Sequence, residues 1–296
     1  MHANEVETSV SLVQGLLRAQ FPQWAGLPLR PVASAGTDNA LYRLGDDLAV
    51  RLPRIEWAVA QVEKEHTWLP RLAPHLPLAV PQPLAQGTPG PGYPYPWSVY
   101  RWLAGENISP EKLVNPVQTA VDLAQFIVAL QQIDVTGAPR PGPQAAARGK
   151  PLRGRDAATR QAIADLSGMI DAAAATAVWE AALLAPDWQR PPVWFHGDLL
   201  AGNLLFVDGR LQAVIDFGAT AVGDPACDLM IAWGLFSGES RAAFREALGV
   251  DAATWARGRG FALSQAVIFI PYYLETNPVG VAYAQHTLAQ ILADGG

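Results

Sequence analysis

From Trp194 to Gly218 the chain reads WFHGDLLAGNLLFVDGRLQAVIDFG, a stretch that leaves few ways to fold. Two apolar runs, Leu204 to Val207 and Gln212 to Ile215, flank Asp208-Gly209, a dipeptide suited to a two-residue hairpin because both residues tolerate positive φ. A shorter apolar run, Val193 to Phe195, precedes the loop from His196 to Asn203. Asp198 and Asn203 stand five positions apart, with Asp216 thirteen further on. This strand order brings Asp198, Asn203 and Asp216 to one edge of a small sheet. Carboxylate and amide oxygens there suit a hard cation such as Mg²⁺, and a second carboxylate can accept a proton from an attacking hydroxyl.

The pattern HxDxxxxN, followed by a strand pair and DFG, resembles the catalytic and metal loops of the protein-kinase-like fold. The wording HGDLLAGN, IDFG and GDPACDL resembles the aminoglycoside phosphotransferase family. The resemblance implies an α+β, two-lobed fold with a small antiparallel-sheet N-lobe and a larger, mainly helical C-lobe, expected over residues 1–102 and 103–296. It implies that Asp198 is the catalytic base, that His196 orients its loop, and that Asn203 and Asp216 hold Mg²⁺ beneath the phosphates of ATP or GTP. Asp228, in GDPACDL, becomes a structural anchor.

Half of the residues are hydrophobic and 16% are charged, enough to bury a large core. The net charge of −6 argues against nucleic acid as a partner. No apolar run reaches membrane-span length, and MHANEVETSV lacks a signal-peptide core, so a cytoplasmic location without membrane contact is expected. The single cysteine, Cys227, excludes an internal disulfide and reads as a buried thiol. The five histidines show no zinc-ligand spacing.

In the N-terminal third, helical spacing predicts a helix from about Glu5 to Gln20, then strands over Leu29 to Ser34, Ala40 to Leu44 and Leu48 to Leu52. Ala35 to Asn39 reads as a small loop whose Gly36 and Thr37 suit a phosphate cradle, or equally as a plain hairpin turn, since the full G-x-G-x-x-G is absent. Arg51 stands where the family places a phosphate-binding lysine. A planar fork replaces a point charge there. A helix over Glu56 to Leu72, bounded by Pro53 and Pro70, carries Glu63 and Glu65; the family match favours Glu65 as the partner of Arg51, with Glu63 as the alternative. The strand WSVYRWL leads into the expected hinge, where the base of the nucleotide is expected near Tyr100 to Leu103, Tyr100 and Trp102 included.

Further on, Asn115 caps a helix from Pro116 to Gln132 with Gln118 reaching back. The stretch from Thr136 to Arg155, with Arg140, Arg148, Lys150, Arg153 and Arg155, reads as a solvated basic loop. Helix is expected over Asp156 to Ala185, Asp228 to Phe236, Glu239 to Leu248, and from Asp251 towards Pro271. After Ala219, acids outnumber arginines by three, an excess that neither demands nor forbids a polycationic acceptor.

The resulting expectation is a kinase acting on a hydroxyl of a small molecule, an antibiotic such as an aminoglycoside in the first instance, in a monomer or homodimer. A kinase of a metabolite alcohol and a non-catalytic nucleotide-binding regulator are the alternatives. A metal-dependent hydrolase would need more histidines. A protein kinase would need the A-P-E segment that is missing after DFG.

Overall fold

The computed structural model describes residues 5–32, 38–142 and 147–294. The chain divides into two compact units. The first comprises the chain through Pro74, Ala79–Ala104 and the short segment Val214–Gly218. The second comprises His75–Leu78, Gly105–Ala213 and Ala219–Gly296.

The first unit opens with α1 (Val10–Gln20) and β1 (Leu29–Pro31), followed by β2 (Asn39–Leu44) and β3 (Leu48–Pro53). Then come α2 (Val59–Leu72), β4 (Pro83–Gly87) and β5 (Trp97–Arg101). Its five-stranded sheet has the order β1-β2-β3-β5-β4, with every neighbouring pair antiparallel. Val13 and Leu17 of α1 pack with Leu44, Val50, Leu52 and Val99 of the sheet. Because strand side chains alternate, burying Val50 and Leu52 on that face turns Arg51 to the other. The predicted loop containing Gly36 and Thr37 lies outside the described residues.

Two boundaries differ from expectation. The first helix begins at Val10, not near Glu5, because Ser9 caps it by accepting from the Leu12 N–H at 3.2 Å. Val6 is instead bonded through its N–H to the Arg54 carbonyl and rests against the core. Pro70 does not bound α2 but lies inside its last turn, where a missing N–H breaks only one ladder bond.

The second unit contains α3 (Pro116–Gln131), α4 (Asp156–Asp165) and α5 (Ala172–Leu184), then β6 (Val193–Phe195), β7 (Leu204–Val207), β8 (Arg210–Val214) and β9 (Ala221–Gly223). It closes with α6 (Ile231–Gly234), α7 (Gly238–Leu248), α8 (Ala252–Tyr273) and α9 (Pro278–Ala293). Leu123, Phe126, Ile127 and Leu130 of α3 are fully buried, and α3 packs on α7 while α8 packs on α5 and α9. Asn115 makes no side-chain cap, and Gln118 bonds forward to Asp122 instead.

The alanine-rich run expected as one helix is two. Gly168, at φ +89°, turns the chain out of α4, and Asp171 starts α5 by accepting from the Ala174 N–H. Alanine favours helix everywhere along this run, so only the glycine and the cap locate the break. The segment expected as helix from Asp228 is 3₁₀ over Pro225–Met230 before α6. Helix α8 carries Pro271 within it rather than stopping there. Among the described residues, no helix is long and apolar enough to cross a membrane.

Candidate active site

Within the first unit, Arg51 lies in the middle of β3, opposite Leu41 of β2 and Ser98 of β5. Its guanidinium grips Glu65 of α2 through Nη1, at 2.8 and 2.9 Å, and reaches Asp216 Oδ1 through Nη2 at 2.8 Å. Glu65 is only 1% exposed, so the pair is shielded from water. The Tyr100 hydroxyl donates to Glu65 Oε2. Burial pulls the Arg51 guanidinium down, but the Glu65 and Asp216 carboxylates outweigh it and hold it well above its ordinary value. Burial, then the Glu65 charge, pushes the Tyr100 phenol up. Arg51 therefore stays cationic and Tyr100 stays protonated.

Glu63 is exposed. Asp216 adopts φ +66°, a left-handed conformation that aspartate tolerates better than most side chains. Lys64 helps to hold the segment after it by donating to the Gly218 carbonyl. Tyr100, expected near the nucleotide base, donates its hydroxyl to Glu65 and is 6% exposed. Trp102 is half-buried with the Arg43 guanidinium 4.4 Å over its ring, and its N–H donates to the Asp47 carbonyl.

Within the second unit, β6 pairs antiparallel with β9, placing Trp194 against Val222. The chain then enters the loop His196 to Asn203. Asp228, fully buried, accepts from the His196 N–H at 2.8 Å and the Gly197 N–H at 2.6 Å. Gly197 sits at φ +85°, and a Cβ there would meet the Ala219 carbonyl and the Phe195 ring at 3.1 Å. No other residue type suits that position. The fully buried His196 accepts from the Asp198 N–H through Nδ1, at 3.1 Å. This assigns the ring proton to Nε2 and makes His196 a positioning residue for Asp198.

Asn203 follows in a 3₁₀ turn, Ala201–Asn203. Its Nδ2 donates to the Asp198 carbonyl at 2.8 Å and to Asp198 Oδ2 at 3.2 Å, leaving Oδ1 as its remaining donor atom for a cation. The hairpin predicted at Asp208-Gly209 joins β7 to β8, with both residues at positive φ, 50° and 74°. Asn203 Oδ1 in the second unit and the Asp216 carboxylate in the first are each hard oxygen donors of the kind that Mg²⁺ prefers.

Three contributors were missed in the sequence. Asn107 donates to the carbonyls of Gly202 and Leu204, both at 2.8 Å, and steadies the far end of the loop. Arg257 clamps Asp224 with two bonds, at 2.8 and 3.2 Å, behind the GDPACDL segment. Arg148 donates to Asp198 Oδ1 at 2.9 Å and to the Gly197 carbonyl. Neither Asn107 nor Arg257 carries a local signal, since each acts across a long sequence separation. The basic loop predicted as solvated is thus corrected at two positions. Arg148 lies against the His196 to Asn203 loop, and Arg155 is 6% exposed, bonded to Ser264 and Gln265 and stacked 4.9 Å from the Phe261 ring. Buried polar partners outweigh solvation for both side chains. Cys227 is a buried free thiol pushed up by burial, as a core cysteine should be.

A family model described as the phosphotransferase enzyme family matches residues 29–261. Among curated protein sequences none matches. Solved structures that the chain resembles include a GDP and kanamycin complex of the aminoglycoside phosphotransferase APH(2")-IIia, at 19% identity and a TM-score of 0.75, covering 96% of this chain and 99% of that one. A streptomycin-ATP ternary complex of APH(2")-IIa is 19% identical with a TM-score of 0.62, covering 97% and 99%. The macrolide 2'-phosphotransferase MphH from Brachybacterium faecium, an apoenzyme, is 24% identical with a TM-score of 0.60, covering 95% and 98%. The HGDLLAGN and IDFG loops fall inside the matched span, and on a match over most of its length the chain belongs to the phosphotransferase enzyme family, with the protein-kinase-like fold of the aminoglycoside enzymes.

Proposed function

We propose that the protein is a small-molecule kinase that moves the γ-phosphoryl group of ATP or GTP to an alcohol. The observation that carries this reading is the construction of the His196 to Asn203 loop. Two backbone N–H groups on Asp228, one on His196 and the Asn203 amide all act to hold Asp198 in one place, while its side chain stays 28% exposed. A carboxylate fixed this firmly yet open to solvent is suited to receive the proton of an acceptor hydroxyl. Arg51, kept charged by Glu65, supplies a cation for phosphate oxygens, and the stretch with Gly36 and Thr37, outside the described residues, remains their proposed backbone cradle. Asn203 and Asp216 would hold Mg²⁺, which when bound neutralises charge on the phosphates.

Two acceptor classes follow. The likeness to aminoglycoside and macrolide phosphotransferases supports an antibiotic hydroxyl, and hence resistance. The Arg148 cation seated on Asp198 supports a metabolite alcohol instead. The test is purified protein with Mg²⁺, ATP or GTP, and a panel of aminoglycosides, macrolides and metabolite alcohols, read by mass. One acceptor gaining a phosphoryl group, with equal nucleoside diphosphate formed, is the expected result. Nucleotide that binds and is never consumed with any acceptor would identify a regulator and overturn the assignment.

Glu65→Gln tests the nucleotide half separately. The amide keeps a partner for Tyr100 but removes the charge that holds Arg51. Nucleotide Kd, measured by calorimetry, should rise about tenfold, the worth of one charge-assisted contact. An unchanged Kd would remove Arg51 from the phosphate site.

A further inference from the structure

Both carboxylate oxygens of Asp198 already accept a hydrogen bond. Oδ1 takes Arg148 Nη2 at 2.9 Å, and Oδ2 takes Asn203 Nδ2 at 3.2 Å. The Asn203 bond belongs to the loop itself. The Arg148 bond comes from fifty residues away.

That approach is built in. Arg148 also donates through Nε to the Gly197 carbonyl, so its fork spans the loop at two points. The next residue, Gly149, has φ +69°, and its carbonyl accepts from the Asp224 N–H at 3.1 Å. A Cβ on Gly149 would lie 2.3 Å from the Phe195 ring, so the backbone packs directly on the strand that leads into the loop. With its neighbour pinned this way, the Arg148 side chain, 14% exposed, has little freedom to swing into solvent.

The charges around it do not favour a polycation. Arg155 lies near enough to Arg148 that, after burial, the Arg148 charge is the next cause lowering its pKa to about 10. Asp224 is already neutralised by Arg257, and Asp228 is buried beneath two backbone amides. The Arg148 guanidinium therefore stands directly on Asp198, with the Arg155 charge close enough to Arg148 to be felt. An ammonium brought to this place meets like charge, which discriminates strongly at short range.

An acceptor hydroxyl that donates to Asp198 shares this carboxylate with Arg148 Nη2, so whatever group the acceptor carries beside that hydroxyl comes to lie against the guanidinium. A cation there is opposed by like charge, and a neutral group leaves the guanidinium no second anion. An acceptor that brings its own anion solves this, because the anion takes the guanidinium as the hydroxyl takes the carboxylate. We propose that Arg148 selects the acceptor, and that the acceptor is an alcohol carrying a carboxylate or phosphate close to the reacting hydroxyl.

This rests on the phosphotransferase reading above. In the transfer, the acceptor oxygen forms its bond to the γ-phosphorus as the bond from that phosphorus to the bridging oxygen breaks. The electron pair leaves with the nucleoside diphosphate, and the hydroxyl proton passes to Asp198. Arg148 holds the acceptor's anionic group throughout and exchanges no proton.

A size-matched series isolates charge: glycerate, glycerol 3-phosphate, glycerol and serinol, each with Mg²⁺ and ATP or GTP. In the wild type, kcat/KM for an anionic member should exceed that for glycerol by about tenfold or more, with serinol lowest, as expected for one charge-assisted bond gained or opposed. Glycerate ahead of glycerol 3-phosphate identifies a carboxylate, and the reverse order a phosphate. Arg148→Gln should compress the series to within about threefold, chiefly through KM, whereas Arg148→Lys should keep the order at lower kcat/KM. Thermal midpoints of both variants check folding, and if Arg148→Gln is unfolded the wild-type and Arg148→Lys orders decide.

Serinol or kanamycin as the best acceptor, or an order unchanged in Arg148→Gln, overturns the proposal. So does transfer confined to uncharged members of the broader panel. Those results leave phosphotransfer intact. Nucleotide consumed with no acceptor in either panel overturns the selection by Arg148 too, and nucleotide not consumed at all takes the parent reading with it.

Discussion

Asp198→Asn lowers kcat by about two to four orders of magnitude, the range for loss of a positioned general base, while the chain still folds. Asparagine has the same shape, and its oxygen can still accept from Arg148 as Asp198 Oδ1 does now at 2.9 Å. What it lacks is basicity. Nucleotide affinity should change little, because the Arg51, Glu65 and Asp216 cluster is untouched. The measurement pairs kcat on the best acceptor with nucleotide Kd and the thermal midpoint. Turnover within about threefold of wild type, far less than a lost general base produces, would remove Asp198 from the proton path. Alanine is the poorer probe, since it also leaves Arg148 without its carboxylate.

Asp228→Ala should be the most destabilising single truncation around the His196 to Asn203 loop. It leaves the His196 and Gly197 N–H groups, now bonded at 2.8 and 2.6 Å, buried without an acceptor. Each such orphan costs about 1–3 kcal/mol, so a total of roughly 3–5 kcal/mol and a thermal midpoint lower by about 10 °C are expected. Activity falls as well, because the Asp198 loop loses its anchor. A midpoint within about 2 °C of wild type would mean that water or a shifted side chain satisfies both amides.

The same residue predicts a pH dependence. Burial, opposed by the two amides and by Arg148, raises the Asp228 carboxyl from 3.8 to about 7. The native state then keeps a proton that the unfolded chain releases between these values. The contribution of this group to stability is complete below the lower value and is lost as pH rises through the upper one. Wild-type stability should therefore decline relative to Asp228→Ala between about pH 4 and 7, a window set by that shift. Denaturant midpoints across the range test this, and parallel curves for the two proteins would count against it.

Much of the site was legible because its signals are local. Asp208-Gly209 between apolar runs specifies a hairpin through φ alone, and both residues do take positive φ. The spacing of Asp198, Asn203 and Asp216 around that hairpin is a property of a single continuous segment. Strand boundaries around Arg51 followed from alternation, and Ala40 to Leu44 against Leu48 to Leu52 pair nearly as spaced. Where competing local signals met, the reading slipped. Val6 continues the helical period of α1, yet the Ser9 cap and the Arg54 carbonyl draw the chain into an extended path. Alanine propensity concealed the break at Gly168.

By itself the sequence identified the phosphotransferase family and marked the HGDLLAGN and IDFG loops, since both signals reside in short contiguous patterns. Tertiary structure alone decided where the distant charges go. Arg148 and Arg155 look like solvated members of a basic loop until the chain brings Asp198 and Ser264 to meet them. The Tyr100 hydroxyl, likewise, finds Glu65, thirty-five residues earlier in the chain. The reason is physical: a buried charge or hydroxyl must find a partner, and which partner it finds depends on residues far away in sequence that no local pattern encodes.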